Sequence, residues 1–325
     1  MRAILLALCV ATPAFADVGE AVGNKVATEL AGFTAAADAF AVEASGDCLA
    51  GTLAPSFPEV MTAWMRVQHW RIGPMESGAL AVAYWPDDRG FTGKQLAGMI
   101  ADEDPVIDTA EGFTDVSIAG RGLFAAEMMI FDPAFNGYTT GDYSCRLTQR
   151  IAADIAVSAH RLSDEWDAYI PTLTTAGEAG NATYLSEKEV ITAAYTQIMS
   201  TLETTTLNRV GRPLGTFERP RPKRAEAWRS GMSLQNILTI GDVAAEDALL
   251  LIDAELAATQ TAVALLHDAA TKVDDPTFAN VGDDSSAWLK LEILGQRITG
   301  IHDAIGNEVG LPLGISAGFN SADGD

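Results

Sequence analysis

The sequence predicts an all-α protein made of two packed helical-bundle halves of long antiparallel helices. Alanine is abundant, and apolar residues recur at steps of three, four and seven along the longer segments. Aromatic and β-branched residues do not alternate as they would in strands. A polar, glycine-containing linker, Thr174–Asn181, separates the predicted halves, which cover about residues 17–178 and 182–325.

In the first half, periodicity predicts helices over Val18–Ala44, Pro58–Arg71, Val116–Phe131 and Asp142–Ile170, with a short one that starts at a Thr92-x-x-Gln95 capping box. Gly78–Trp85 is a short apolar run, and Pro105–Asp115 is expected to be irregular. Pro171 is expected to close the Asp142–Ile170 helix, because proline lacks the backbone N–H that a helix interior needs. Apolar residues of this helix form a core stripe at positions 147, 151, 155, 162, 166 and 169.

The second half begins with a helix from a Ser186-x-x-Glu189 capping box to about Asn208. One or two long helices are predicted over Ser230–Val273, and a last one over Ser286–Val309. Asp274–Asp284 is rich in turn-forming residues and separates them.

The first 16 residues have the features of a cleaved secretory signal peptide. Arg2 supplies the positive charge, Ile4–Ala11 is apolar but too short to span a bilayer, and Ala14–Ala16 fits a cleavage site. Cys9 follows the bulky Leu8, which argues against a lipoprotein. The sequence therefore predicts a protein exported to a bacterial periplasm, with no transmembrane segment.

Two cysteines follow the signal, Cys48 and Cys145. In an oxidising compartment such an isolated pair is expected to form a disulfide. The alternative is two buried free thiols.

The chain has a formal net charge of −23, which argues against nucleic acid as a partner. Seven of its 21 basic residues nevertheless lie in Arg209–Ser233, which we call the cationic strap. Three prolines predict that Arg212–Lys223 is extended rather than helical. The strap either contributes to a functional surface or is tied by its arginines to acidic helices, and we expect the latter for Arg219–Arg224.

Several catalytic classes lack their motif: H-E-x-x-H, G-x-S-x-G, the P-loop and C-x-x-C are all missing. Of the four histidines, His160 and His267 lie in apolar-striped helices and are predicted to be structural, and His302 adjoins an aspartate. His69 differs, because Arg71 and Glu76 follow it at a predicted helix end. This cluster is a candidate binding site, or a capped helix end with solvated charges.

Glu127 is the only charged residue in the apolar run Gly122–Phe131. Burial of an unpaired carboxylate is costly, so Glu127 is expected to face an arginine, a metal ion or a cavity. A raised pKa with a general-base role is a further possibility. The remaining alternative is that Glu127 lies on a solvated helix face.

These segments resemble the imelysin family of bacterial periplasmic or surface proteins, which are often linked to iron supply. Gly122–Glu127 matches the family motif G-x-H-x-x-E except that Phe124 replaces the histidine. Trp64–Pro74 resembles an early Trp/Arg/Gly-Pro block, and Glu226–Ser233 resembles a Ser-x-x-Ser segment. Leu313–Asp325 resembles the C-terminal Gly-Phe-Asn-x-x-Asp-Gly-Asp signature.

The resemblance implies two helical bundles with a functional cleft near their interface. The family was named for a proposed insulin-cleaving peptidase, and its His/Glu motif was proposed to bind iron. Phe124 cannot ligate a metal ion or take a proton, so a mechanism that requires this histidine is in doubt here.

The hypothesis from the sequence is a non-enzymatic protein that binds iron, an iron chelate or another anionic ligand. The predicted ligand-binding residues are His69, Arg71, Glu76, Glu127, Arg229, Ser230 and Ser233, with Glu127 and His69 as candidate metal ligands for iron or another divalent metal. Envelope iron-uptake proteins are the expected partners. The alternatives are a metallopeptidase of the imelysin type and a partner-binding protein whose metal site has decayed.

Overall fold

The computed structural model describes residues 18–315, which form an all-helical fold. The α-helices are α1 (Val18–Gly46), α2 (Ala50–Leu53), α3 (Phe57–Val67), α4 (Pro74–Val82), α5 (Phe91–Asp102), α6 (Ala110–Thr114), α7 (Gly122–Phe131), α8 (Tyr143–Thr174), α9 (Glu187–Thr204), α10 (Gly211–Leu214), α11 (Ser233–Ala248), α12 (Ala257–Ala270), α13 (Ser285–Ile305) and α14 (Leu311–Leu313). Within the described residues, strand pairing is limited to one isolated bridge between Thr216 and Arg219. The predicted signal peptide and most of the C-terminal signature lie outside the described residues.

Short 3₁₀ and π segments connect several of these helices. The 3₁₀ turns cover Pro105–Asp108, Ile118–Gly120, Pro222–Arg224 and Ala279–Gly282. Two π-helical segments, Thr205–Val210 and Gly306–Gly310, follow α9 and α13.

The first half is built on the pair of long helices α1 and α8, against which α3, α4 and α7 pack. The two long helices approach closely at Gly23, whose carbonyl accepts a hydrogen bond of 3.0 Å from the indole N–H of Trp166. The predicted α8 stripe is buried from Leu147 to Trp166, and Tyr169 is half-buried. A disulfide joins Cys48 to Cys145 of α8, as predicted.

The second half packs α9, α11 and α12 round α13, and α11 and α9 contact α3 and α1 of the first half. The largest buried side chains, Trp64, Trp70 and Trp166, belong to the first half. None of the described helices is long and apolar enough to cross a membrane.

Several predicted boundaries in the first half were wrong. The helix predicted to start at Val116 starts at Gly122, and the helix predicted to end at Ile170 continues through Pro171 to Thr174. Pro171 falls in the last turn of α8, and its carbonyl accepts the N–H of Thr175. The Thr92 capping box is also wrong, since the carboxylate of Asp87 accepts the N–H groups of Phe91 and Thr92.

The predicted Pro58–Arg71 helix ends at Val67, and a separate helix, α4, starts at Pro74. Pro105–Asp115, expected to be irregular, contains a 3₁₀ turn and α6. At the start of α9 the Ser186 side chain makes no capping bond, although Glu189 accepts the N–H of Leu185 at 2.7 Å.

Candidate functional site

The cationic strap connects α9 to α11 by a path that is partly helical. The π segment Thr205–Val210 leads directly into α10, so the first residues of the predicted extended stretch are helical. Pro213 lies next to the last residue of α10, which ends at Leu214. The rest of the strap is extended or turned, apart from the 3₁₀ turn Pro222–Arg224.

The strap ends in a tight turn before α11. Ala227 has a φ of 50° and Gly231 a φ of 77°, both in the left-handed region. Such a conformation costs a non-glycine residue on the order of 1 kcal/mol, so it must be held by its surroundings. The carbonyl of Ala227 accepts the N–H of Met232 at 3.0 Å, and the hydroxyl of Ser230 lies 3.0 Å from the same carbonyl.

A buried ion pair fixes the strap to its own half. Arg209 donates from Nε and Nη2 to the two carboxylate oxygens of Glu226, at 2.7 and 3.0 Å. Asn236 of α11 donates to the same carboxylate, and Ser233 donates to the Glu226 carbonyl at 2.7 Å. All four residues are buried.

On the first-half side, Gly122 determines where α7 begins. Its φ is 70°, and a Cβ atom there would lie 2.2 Å from the carbonyl oxygen of Val82 at the end of α4. Only glycine accommodates both the conformation and this close approach. The contact sets the position of α7, which carries Phe124 and Glu127.

Glu127 of α7 contacts the strap directly. Its Oε1 accepts hydrogen bonds from the backbone N–H and the hydroxyl of Ser230, each at 2.9 Å. Glu127 is 2% exposed, and burial raises the pKa of its carboxyl group above the ordinary value despite the hydrogen bonds and nearby Arg229. Arg229 is itself paired with Asp132 at 2.7 Å.

A cavity of about 570 Å³ lies between the strap and the first half. Glu127, Phe124 and the loop before α5 form its first-half wall, and residues 212–229 form its second-half wall. Two tryptophans, Trp85 and Trp228, contribute flat aromatic surface from opposite halves. We call this space the larger cavity.

Five basic side chains line the larger cavity: Lys94, Arg212, Lys223, Arg224 and Arg229. Asp87, Asp88 and Glu127 are the acidic residues in its wall. The lining therefore carries more positive than negative charge, in contrast with the chain as a whole.

The pairing of these basic groups is incomplete. Arg212 forms an ion pair with Asp88, which Arg224 approaches at 3.8 Å. Lys223 and Arg229 lie over the ring of Trp228, with 5.9 and 4.5 Å to its centroid. Among the described residues, no carboxylate lies within ion-pair distance of Lys94 or Lys223. The same is true of Arg219 and Arg221, so these two arginines do not tie the strap to acidic helices as expected.

A smaller cavity of about 80 Å³ adjoins the larger one, because Trp85 and Phe124 line both. Two arginines, Arg71 and Arg209, are among its lining residues. Burial, together with repulsion from Arg209, lowers the pKa of the Arg71 guanidinium to about 10. Arg71 thus remains charged at neutral pH.

His69 lies elsewhere, in a charged cluster that we call the seam. Its Nε2 is 2.8 Å from Oδ2 of Asp247 on α11, and both side chains are buried. The rest of the seam consists of Lys25, Glu29, Arg66 and Glu246, whose ion pairs connect α1 and α3 to α11. Burial opposes ionisation of Glu29, but hydrogen bonds from Arg66 and Lys25 lower the pKa of this carboxyl group.

The structure thus brings together some of the predicted site residues and separates others. Glu127 and Arg229 line the larger cavity, Ser230 bonds to Glu127, and Arg71 lines the smaller cavity. The cavity-lining residues within the described range do not include His69, Glu76 or Ser233, and Glu76 is exposed on α4.

The donor groups do not fit a bare metal ion. Residues 18–315 contain no group of three or more His, Cys, Asp or Glu side chains able to hold one. His69 bonds to Asp247 rather than facing Glu127, and the ring of Phe124 offers no ligand atom. A metal that binds in the larger cavity would need ligands from elsewhere.

The family model for imelysin (peptidase M75) matches residues 11–306. The chain belongs to the imelysin family. Gly122 and Glu127, which resemble the motif G-x-H-x-x-E in the sequence, are the first residue of α7 and a buried carboxylate. A search of curated proteins returned no significant match.

Two solved structures share the fold. An imelysin-like protein from Psychrobacter arcticum 273-4 superposes with a TM-score of 0.69 at 16% sequence identity, covering 98% of this chain and 100% of the other. A protein assigned as an iron-regulated protein A precursor from Parabacteroides distasonis ATCC 8503 gives a TM-score of 0.59 at 16% identity, covering 93% and 98%. At this identity the likeness establishes the imelysin fold alone.

Sequence reasoning missed the aromatic and lysine components of the larger cavity. Trp85 precedes the turn-rich loop Pro86–Gly90, and Trp228 follows the prolines of the strap. Tryptophans next to charged, turn-rich segments were the available signal, because loops that carry aromatic residues often form binding surfaces.

Proposed function

We propose that the protein binds an anionic small ligand, with an iron chelate as the leading case, in the larger cavity, and that it acts by binding rather than by catalysis. The observation that carries this proposal is the group of five basic side chains round one cavity in a chain of net charge −23. Basic groups at a concave site attract and orient anions. Lys94, Lys223 and Arg224 are exposed enough to meet a ligand without breaking a buried ion pair.

The aromatic wall favours a ligand with a flat or apolar part. Trp85 and Trp228 face the cavity, and Phe124 adds an apolar ring at the position where the family motif has histidine. A cavity of about 570 Å³ is within the usual range for small-molecule sites. Haem and ferric citrate both combine anionic carboxylates with bound iron.

The relation to iron rests on two supports. The structural relative from Parabacteroides is assigned as an iron-regulated protein A precursor, and the family resemblance points the same way. Because the described residues do not form a closed metal site, a ligand that brings its own donor atoms fits better than a bare ion. Export to the periplasm belongs to the proposal and is supported by the signal-like first 16 residues.

Titration of the purified protein with ferric citrate and with haem tests this function. We expect saturable binding that weakens with added salt, since exposed charges are screened. The double variant Lys223→Gln/Arg224→Gln should weaken it about tenfold or more, because a hydrogen bond to a charged group contributes roughly 1.5–3 kcal/mol.

The matched control is Lys272→Gln/Arg161→Gln, which removes one lysine and one arginine from exposed helical ion pairs outside the cavities. This variant should bind as the wild type does. Equal weakening in the two double variants would show only a general charge effect, and the absence of any saturable binding would exclude both chelates as ligands.

A further inference from the structure

The backbone of Arg71 is held in place, but its charged group has no ion-pair partner among the described residues. The backbone N–H of Arg71 donates to Oε1 of Gln197 on α9, at 3.1 Å, which fixes this residue between the two halves. Arg71 is half-buried and lines the smaller cavity. Among the described residues, no carboxylate lies within ion-pair distance of it, and the positive charge of Arg209 lies close enough to lower its pKa further.

The carboxylate that lines the smaller cavity, that of Glu226, already has hydrogen-bond partners within the protein. Glu226 accepts both hydrogen bonds from Arg209 and a third from Asn236, at 3.0 Å. Arg209 and Glu226 therefore neutralise each other, and the cavity keeps the positive charge of Arg71. A buried or half-buried charge without a counter-ion is costly, so an anion that entered would meet a favourable site.

The chemistry of the wall is specific. A free guanidinium presents its donors in a planar fork that matches the two oxygens of a carboxylate or a phosphate. Gln68 adds a nearly buried polar side chain, and Trp64, Trp85 and Phe124 contribute aromatic rings to the rest of the wall. An ionic hydrogen bond that is partly buried among such rings is stronger than one in bulk water.

We propose that the smaller cavity is a binding site for one oxyanion, held by the fork of Arg71 with Gln68 beside it. The volume of about 80 Å³ leaves room for a few water molecules or one small oxyanion, and not for an aromatic ligand. The oxyanion is either free in solution or the terminal carboxylate of a ligand that extends from the larger cavity. This site is separate from the basic residues proposed to bind the chelate, so either site could exist without the other.

Thermal unfolding and calorimetric titration with sodium phosphate and with sodium acetate, against sodium chloride at the same ionic strength, test the proposal. We expect a saturable rise in Tm for the wild type with at least one of the two oxyanions. Arg71→Gln should abolish the rise and Arg71→Lys should reduce it, because lysine keeps the charge without the fork. Without oxyanion, Arg71→Gln should unfold at the same Tm as the wild type or higher, since an uncompensated charge is removed.

Lys223→Gln/Arg224→Gln should keep the oxyanion response, which separates this site from the larger cavity. If the oxyanion is the carboxylate of a longer ligand, Arg71→Gln should also weaken ferric citrate binding. If the oxyanion is free in solution, Arg71→Gln should leave ferric citrate binding unchanged. The proposal is overturned if Arg71→Gln responds as the wild type does. It is equally overturned if the wild type alone gives no saturable calorimetric signal with either oxyanion, a measurement that does not depend on the folding of any variant.

Discussion

Asp247 and Glu127 are two buried carboxylates that each join the first half to the second, but their charges are compensated differently. Asp247 faces His69 at 2.8 Å, and Lys25 lies 3.8 Å from its other oxygen. Glu127 receives two hydrogen bonds from Ser230, while the nearby Arg229 is paired with Asp132. Asp247 thus has basic side chains within ion-pair distance of both its oxygens, although its Oδ1 accepts no hydrogen bond. Among the described residues, no basic side chain lies within ion-pair distance of Glu127, whose support comes from hydrogen bonds alone.

The same contrast separates Arg209 from Arg71. Arg209 has Glu226 and a 3.1 Å hydrogen bond to the Thr205 hydroxyl, and it holds the strap in place. Arg71 lines the same small cavity without a carboxylate. Among the described residues, the ion pairs of the seam and of Arg209 with Glu226 connect the helices and the strap. Arg71 and Lys223, which line the cavities, have no carboxylate of the described residues within ion-pair distance.

Loss of the seam histidine should have the largest effect. His69→Ala leaves Asp247 buried with only the more distant Lys25, and breaking a buried pair costs about 3–5 kcal/mol. Urea unfolding followed by circular dichroism measures this loss. The effect should be on stability, with ferric citrate binding unchanged at temperatures where the variant is folded.

His160→Ala is the matched control, because His160 forms an exposed pair with Asp38 in which the two side chains are 57% and 48% exposed. We expect a change within about 0.5 kcal/mol, as is usual at the surface. If His69→Ala were as mild as His160→Ala and instead removed ligand binding, His69 would act at the ligand site and not as a structural partner of Asp247.

Glu127→Gln should reveal a pH dependence that comes from the uncompensated carboxyl group. Because the folded-state pKa is raised, the folded protein keeps a proton that the unfolded chain releases above the ordinary pKa of 4.5. Stability from this group is therefore present below that pH and is lost as pH rises through the folded-state pKa. The variant lacks this loss, so its stability relative to the wild type should increase with pH, by about 1.4 kcal/mol for each unit of pKa shift.

Urea unfolding at several pH values from 4 to 8 gives the difference, with the exposed Glu165→Gln as control. A difference that is flat with pH, or one that falls as pH rises, would show that Glu127 is ionised in the folded protein. Glu127 would then be as well compensated as Asp247.

The helices were largely predictable because their apolar periodicity is local. The ends were less so, since they depend on contacts between distant segments. Gly122 starts α7 because its backbone approaches the Val82 carbonyl, and this contact cannot be recognised from composition or spacing. The helix α8 continues through Pro171 to Thr174, although a proline in the sequence usually predicts a helix end.

For the site, Glu127 was recognisable as a lone charge in an apolar run. The partner of His69 was not, because Asp247 is 178 residues away in the sequence. Lys223 and Trp85 could not be predicted to line one cavity, because this depends on the packing of the strap against the loop before α5. The charge cluster of the strap was visible in the sequence, but which of its charges are neutralised depends on the fold.

The smallest predicted effect concerns the single hydroxyl hydrogen of Ser230. This hydroxyl lies 2.9 Å from Glu127 Oε1 and 3.0 Å from the Ala227 carbonyl, and it can donate to one of them at a time. An ionised Glu127 needs that hydrogen, whereas a protonated Glu127 can donate to the hydroxyl oxygen and leave the hydrogen for Ala227. Ser230→Ala should therefore cost about 0.5–1.5 kcal/mol, with a larger loss at high pH than at low pH.

Ser233→Ala provides the comparison, because Ser233 donates to the carbonyl of Glu226, which does not titrate. Its cost should be the same at every pH. In the background of Glu127→Gln, the pH dependence of Ser230→Ala should disappear, which a double-mutant cycle measures directly. A Ser230→Ala cost that does not vary with pH would mean that the hydroxyl donates to the Ala227 carbonyl at every pH. The backbone N–H of Ser230 would then be the only one of these two donors that supports the Glu127 carboxylate. Glu127 would in that case differ from Asp247 more than the hydrogen-bond distances indicate.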